Sequence, residues 1–198
     1  LNATQQGYTS AVWSGEMQDY RFQNWLDLMA AGRFVKLKSG YTDWYYTPRD
    51  IADKINRWLG DKIYLYNNDY GNRWSQLFAD IKEKVSTTGA RLVVLDNLMA
   101  MYLDAYSGDS NERQSQFVTE LKNYAKAQGI HILLACHPRK EAGFQLLRKE
   151  SIAGTADLTN TADNVFIIHR VGRDFVKRAE SFYEKDTLNE IINRGYGN

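Results

Sequence analysis

Four side chains able to do chemistry stand where short apolar runs end. Glu16 follows the Ala11-Val12-Trp13 run, Asp96 follows Leu92-Val93-Val94-Leu95, and His137 follows Leu133-Leu134-Ala135-Cys136. Arg194 follows Ile191-Ile192-Asn193. If each run is a strand of one parallel α/β sheet, all four residues sit at carboxyl ends of strands, where such sheets collect their ligands. Two acids, a histidine and an arginine gathered there suit a phosphate with a metal ion. Asp96 after four apolar residues has the form of a carboxylate that holds Mg²⁺ through its water shell, although an aspartate there also serves to cap the next helix. Glu16 has a plain alternative as well, in the first turn of a helix. A neutral His137 can donate to a phosphate oxygen, or it can be a satisfied structural histidine. His131 and His169 are read as structural, because no two histidines have the close spacing that metal ligation asks for.

The elements that must position these groups follow from periodicity. Thr9–Ser14 reads as a strand. Gln18–Ala31 reads as a helix with Phe22, Trp25, Leu26 and Met29 on its apolar face. Residues 40–44 read as loop. Thr47-Pro48 opens a helix, with Thr47 as cap and Pro48 at its first position, running to Leu59. Ile63–Tyr66 is a strand. Trp74, Leu77, Phe78, Ile81 and Val85 form one helical face. Arg91–Asp96 and Ile130–Cys136 are buried strands. A helix ending at Gln128, carrying Phe117, Leu121 and Tyr124, follows the polar segment from Tyr106 to Arg113. A basic loop from Pro138 to about Gly154 leads to a short helix over 157–162. The last strands are expected at Asn164–His169 and Thr187–Ile192. Strands alternating with helices predict an α/β fold: a largely parallel sheet with helices on both faces, in one domain spanning residues 1–198.

Composition narrows the function classes. The chain has 198 residues, 43% hydrophobic and 25% charged, which fits a folded domain and excludes a disordered chain or a coiled coil. Lys plus Arg is 25 against 24 for Asp plus Glu, a formal charge of +1 that excludes a uniformly basic nucleic-acid binder while leaving room for a local basic patch. The single Cys136 excludes an internal disulfide and a multi-cysteine zinc cluster. No apolar run approaches a membrane span, and an intracellular location is expected. Leu1 and Asn198 both fall in mid-pattern, as though cut from a longer chain.

Several ordered motifs carry a resemblance. They are Ser14-Gly15-Glu16-Met17; Leu95-Asp96-Asn97-Leu98; Ser107 to Arg113; Cys136-His137-Pro138-Arg139-Lys140-Glu141; Ser151-Ile152-Ala153-Gly154-Thr155-Ala156; Ala162-Asp163-Asn164-Val165; and Asn193-Arg194. In this order they resemble the RecA-like helicase domain of the replicative helicase family that includes Twinkle, the phage primase-helicases and bacterial DnaB. The resemblance implies the motor of a ring-forming, ATP-dependent DNA helicase with ATP and Mg²⁺ as cofactors. It implies that Glu16 polarises the attacking water, Asp96 holds Mg²⁺, His137 senses the γ-phosphate and Arg194 reaches a neighbour's ATP as an arginine finger. It implies single-stranded DNA along the loop of Arg139, Lys140, Arg148, Lys149, Ser151, Gly154 and Thr155. It also implies a homo-oligomer, a hexameric ring in the intact protein, with a primase domain or partner.

Two departures stand against the family pattern. No Gly-x-x-x-x-Gly-Lys-[Ser/Thr] occurs in the sequence, so the phosphate-cradling loop is missing and this chain alone is expected to be inactive. Ile192 occupies a position where the family often has lysine. The missing loop keeps a second reading open, a catalytically inactive RecA-like module that binds DNA or a replication partner. A third is an ATPase of the RecA or KaiC type.

Overall fold

The computed structural model describes residues 1–66, 71–139, 146–168, 184–187 and 189–190. The elements run α1 (Asn2–Gln5), β1 (Ser10–Ser14), α2 (Asp19–Ala31), β2 (Lys36–Leu37), β3 (Tyr45–Tyr46), α3 (Arg49–Leu59), β4 (Ile63–Leu65), α4 (Trp74–Thr88), β5 (Leu92–Asp96), α5 (Ser110–Gln128), β6 (His131–Leu134) and α6 (Asp157–Thr161). Four strands form one parallel sheet in the order β4-β1-β5-β6. This is the expected α/β architecture, with Asp96 and the chain after β1 and β6 at one end of the sheet.

Register fixes the core. Ala11 lies opposite Val93 and Trp13 opposite Leu95, so all four side chains share one face. Helices α4 and α5 cover that face. The face read from the sequence of α4, Trp74, Leu77, Phe78, Ile81 and Val85, is buried in full. Trp74 is completely buried. It stacks on Phe78 at 4.6 Å and meets Phe117 of α5 edge-on at 4.7 Å. Its indole Nε1 donates to Tyr106 Oη at 2.8 Å and to Glu120 Oε2 at 3.2 Å, so burying the ring strands no donor. Burial, reinforced by Glu120, raises the pKa of the Tyr106 hydroxyl, which stays protonated.

A smaller cluster of Ala31, Ile55 and Leu59 joins α2 to α3, with Val35, Ile51 and Ile63 packed against it. A polar tie accompanies it: Gln23 Nε2 donates to Asp27 Oδ1 at 2.8 Å and to Asn56 Oδ1 at 3.2 Å.

Several expectations need correction. In α2, Leu26 is buried, but Trp25 and Met29 lie about 60% exposed. The inner face is completed by Asp27 and Ala31, because Gln23 satisfies the aspartate. Helix α3 begins at Arg49, with Pro48 as its cap. Pro48 keeps an extended ψ of 146°, its carbonyl takes the first helical bonds, and Thr47 caps nothing. The loop over 40–44 stands as expected, at the tip of an antiparallel hairpin, β2 with β3. Helix α5 starts at Ser110, inside the segment read as polar loop. Asp109 accepts from the backbone of Asn111 and Glu112 while Glu112 accepts from Asp109 N, a capping box. Finally, residues 164–168 form no strand. They have no ladder partner among the described residues, and Phe166 and Ile168 are exposed. The described part of the last expected strand is helical at 187 and 189–190. His169, Ile191 and Ile192 lie outside the described residues.

Candidate functional site

The end of β1 turns sharply beside the end of β5. Gly15 N donates to Asp96 O at 2.5 Å, and a Cβ on Gly15 would stand 2.5 Å from Ala100 Cβ and 2.6 Å from Trp13 Cη2. Only a glycine lets the chain pass here, and the pass carries Glu16 over the sheet end. Ser14 Oγ donates to Asp96 Oδ2 at 3.0 Å and accepts from Met17 N at 3.2 Å, so the first residues beyond β1 are held by the last residue of β5.

Glu16, Asn97 and His137 then converge. Asn97 Nδ2 lies 2.6 Å from Glu16 Oε1 and 2.9 Å from His137 Nε2, and His137 Nε2 lies 2.8 Å from Glu16 Oε1. Asn97 is only 2% exposed. Its Oδ1 accepts from Ala100 N at 3.2 Å, which points its amide nitrogen at the other two groups. The peptide bond between Asp96 and Asn97 is cis. Asn97 has two amide hydrogens, so it can serve Glu16 and an unprotonated Nε2 together. When Nε2 carries the proton, both partners donate to Glu16. Hydrogen bonds from His137 first and Asn97 second hold the Glu16 carboxyl below its ordinary value, so it is ionised at neutral pH. An ionised carboxylate at the open end of a sheet can orient a water molecule and accept its proton.

Sequence reasoning found Glu16, Asp96 and His137 but missed Asn97. Its place directly after the strand-end aspartate is the one local clue, and it does not say which groups the amide meets. Cys136 precedes His137 and has no part in this chemistry, because burial pushes its thiol up to about 11.

The donor set suits a hard cation. Asp96 and Ser14 offer carboxylate and hydroxyl oxygens, the ligands Mg²⁺ takes. No group of three or more His, Cys, Asp or Glu among the described residues could hold a metal by itself. A cation here would therefore draw its remaining ligands from water and from a bound phosphate.

The loop after β6 is tied to the same end of the sheet. Ala153 N donates to His137 O at 2.9 Å, Arg139 N donates to Ser151 O at 2.6 Å, and Pro138 pairs with Ile152. Gly154, at φ 114°, touches α5 closely: a Cβ there would meet Gln114 Oε1 at 2.5 Å. That same oxygen accepts from Thr155 N at 3.0 Å. Arg148 and Lys149 extend from the loop, with Lys149 Nζ bonded to Asn160 Oδ1 at 3.0 Å. Arg139 Nη2 donates to Gly154 O at 3.0 Å. Ser151 is 3% exposed and its hydroxyl accepts from Arg148 N, so it shapes the loop rather than facing outward. Lys140 and Arg194 lie outside the described residues.

Comparison with solved structures identifies the fold. The chain is similar to the ATPase domain of G40P, with a TM-score of 0.57 and 15% identity over 82% of this chain and 59% of that one. It is also similar to a DnaB-like replicative helicase, in a structure that treats its interactions with primase. There the TM-score is 0.58 and the identity 18%, over 82% of this chain and 40% of that one. The chain thus spans about three fifths and two fifths of these two structures, and shares their RecA-like fold. A family model described as an AAA domain matches residues 2–143, which include the β1, β5 and β6 strand ends and the groups they carry. This chain belongs to that AAA domain family.

Proposed function

We propose that the chain is part of the motor domain of a ring-forming, ATP-dependent replicative DNA helicase that moves on single-stranded DNA. The observation that carries this reading is the convergence of Glu16, Asn97 and His137 beside the Ser14–Asp96 pair. Fold likeness to two helicase ATPase structures supports it. In this reading Glu16 Oε1 orients the attacking water and takes its proton. Asp96 and Ser14 hold hydrated Mg²⁺, which when bound neutralises phosphate charge. His137 Nε2 leaves Glu16 to donate to the terminal phosphate, and Asn97 keeps Glu16 in place meanwhile. Arg194 reaches a neighbouring subunit's nucleotide. Arg139, Lys140, Arg148 and Lys149 contact DNA phosphates, on a loop shaped by Ser151, Gly154 and Thr155. A homohexameric ring and a primase domain or partner complete the proposal.

The test is DNA-stimulated ATP hydrolysis by the full gene product. Glu16→Gln and Arg194→Ala should each lower turnover by about 10³-fold with nucleotide binding retained. Turnover unchanged in Glu16→Gln would sink the assignment. The 198-residue chain alone contains no phosphate-loop motif and should not hydrolyse ATP. That absence is also what favours the second reading, an inactive module that binds DNA or a partner. Under it the full gene product would bind DNA without any ATP turnover.

A further inference from the structure

The stretch between α2 and α3 takes no part in the site at the sheet end, yet it gathers rings and cations at the surface. Residues 33–49 contain Arg33, Lys36, Lys38 and Arg49 against the single acid Asp43, in a chain whose net charge is only +1. Tyr41, Trp44 and Tyr46 are each about half exposed.

The hairpin sorts these side chains by face. Lys36 pairs with Tyr46 and Leu37 with Tyr45. Lys38 N donates to Trp44 O at 2.8 Å, one rung further along. Side chains alternate along a strand. Leu37 and Tyr45 therefore share the side of Val35, which packs on the small α2–α3 cluster. Lys36, Lys38, Trp44 and Tyr46 share the opposite side; Leu37 and Tyr45 are themselves about half exposed, so both faces of the hairpin meet solvent and it is the first that combines rings with lysines. Tyr41 meets Trp44 edge-on at 4.8 Å. Lys38 Nζ lies 3.9 Å from the Trp44 ring centroid and 5.2 Å from that of Tyr41, which fixes a positive charge among the rings.

Two kinds of occupant want exposed rings. A protein partner wants them without lysine, which is depleted at protein interfaces. A single nucleic-acid strand wants both, rings for its bases and cations for the phosphates between them. Here the lysines alternate with the rings on one face. We infer that the hairpin face that carries both rings and lysines, built from Lys36, Lys38, Tyr41, Trp44 and Tyr46, is a contact surface for single-stranded nucleic acid, distinct in sequence from the basic loop that follows β6. Bases stack on Trp44 and Tyr46, and the two lysines neutralise phosphates. The inference does not depend on ATP hydrolysis or on the loop's role.

The experiment measures binding of a labelled oligothymidylate of about 20 nucleotides to the 198-residue chain by fluorescence anisotropy at several salt concentrations. Trp44 variants separate stacking from greasy contact: leucine keeps the apolar bulk and loses the π-face. Trp44→Leu should weaken binding about tenfold, and Trp44→Phe should retain most of it. Lys36→Ala with Lys38→Ala should lower the salt slope by about 0.7 for each phosphate that is no longer neutralised. Equal binding by wild type, Trp44→Leu and Trp44→Phe would overturn the inference, as would a wild-type chain that binds no oligonucleotide. Unchanged affinity with a shift in sedimentation would also overturn it, and would assign the face to a second copy of the chain. Arg139→Ala with Lys149→Ala is the parallel arm. If that variant alone loses affinity, the hairpin surface falls and the loop assignment stands. If only the hairpin variants lose affinity, the reverse holds.

Discussion

The two flanks of this sheet are built on different scales. On one, α4 and α5 press a cluster of aromatic rings and branched aliphatics onto β1 and β5, with Trp74 and Phe117 sealed inside and the buried indole N–H satisfied. On the other, α2 and α3 close over the small cluster of Ala31, Ile55 and Leu59, with Leu26 buried as well, and leave Tyr20, Trp25, Met29 and Trp58 at the surface. Hydrophobic stabilisation scales with apolar area removed from water, so the α4–α5 flank carries the fold. The α2–α3 flank is held by less, and its hairpin is free to present a binding face. A domain can in this way keep a rigid chemical site and a more loosely supported contact surface in one sheet.

Four measurements would break or sharpen that contrast. The largest effect belongs to Trp74→Ala, which empties the centre of the large cluster and should cost about 3–5 kcal/mol in denaturant unfolding. A loss under about 1 kcal/mol would mean that the two flanks are equal after all. Ile55→Ala should cost about 2–3 kcal/mol. Its signature is a difference in place: amide exchange should speed up in α2 and α3 first, leaving α4 and α5 protected. Uniform acceleration throughout the sheet would show that the flanks unfold as one.

Gly15→Ala follows, at about 1–2 kcal/mol, because the new methyl group meets Ala100 and Trp13 well inside contact distance. It should also perturb the Glu16 environment, visible as shifted resonances at Asn97 and His137. The smallest effect is read as a titration. The Glu16 carboxyl is held below the ordinary glutamate value of 4.5 by His137 and then Asn97. A group with a depressed folded-state pKa stabilises the fold fully above its unfolded value, and loses that contribution as pH falls through the lower folded value. The pH-dependent part of this contribution should thus disappear below pH 4.5. By NMR titration, His137→Ala should raise the Glu16 midpoint more than Asn97→Ala does. Equal midpoints in all three proteins would dissolve the convergence as an electrostatic unit.

How much of this was legible in the sequence depended on how local the cause was. The α4 face could be read position by position, because a 3.6-residue period over 15 residues leaves little freedom. Strands β5 and β6 were legible as apolar runs, and with β5 the strand-end position of Asp96; β6 is not the buried strand expected over Ile130–Cys136, because at the sheet edge it is half exposed and it stops at Leu134, short of His137. The same rule failed at Val165 to Ile168, since an apolar run does not say which strand will pair with it. Two-residue strands such as β2 and β3 lie below any periodicity, so the hairpin and its sorted faces were invisible. Asn97 was hidden for another reason. Its role comes from three chain segments meeting, and nothing in the order of residues 16, 97 and 137 announces that they touch. In α2, Trp25 and Met29 looked buried because the pattern counts apolar residues and cannot see the Gln23–Asp27 bond that lets an acid take the inner face.

The stem of the loop after β6 has a thermodynamic consequence. Hydrogen bonds run from Ala153 N to His137 O and from Arg139 N to Ser151 O, so two strands of chain leave the sheet end clamped side by side. His137 and residues 151–153 are thereby one hydrogen-bonded unit, and Gly154 and Thr155 join it to Gln114 of α5. Linkage sets the rule for any coupling across that unit: a ligand on residues 151–155 that shifts affinity at Glu16 has its own affinity shifted by the same factor when the Glu16 site is occupied.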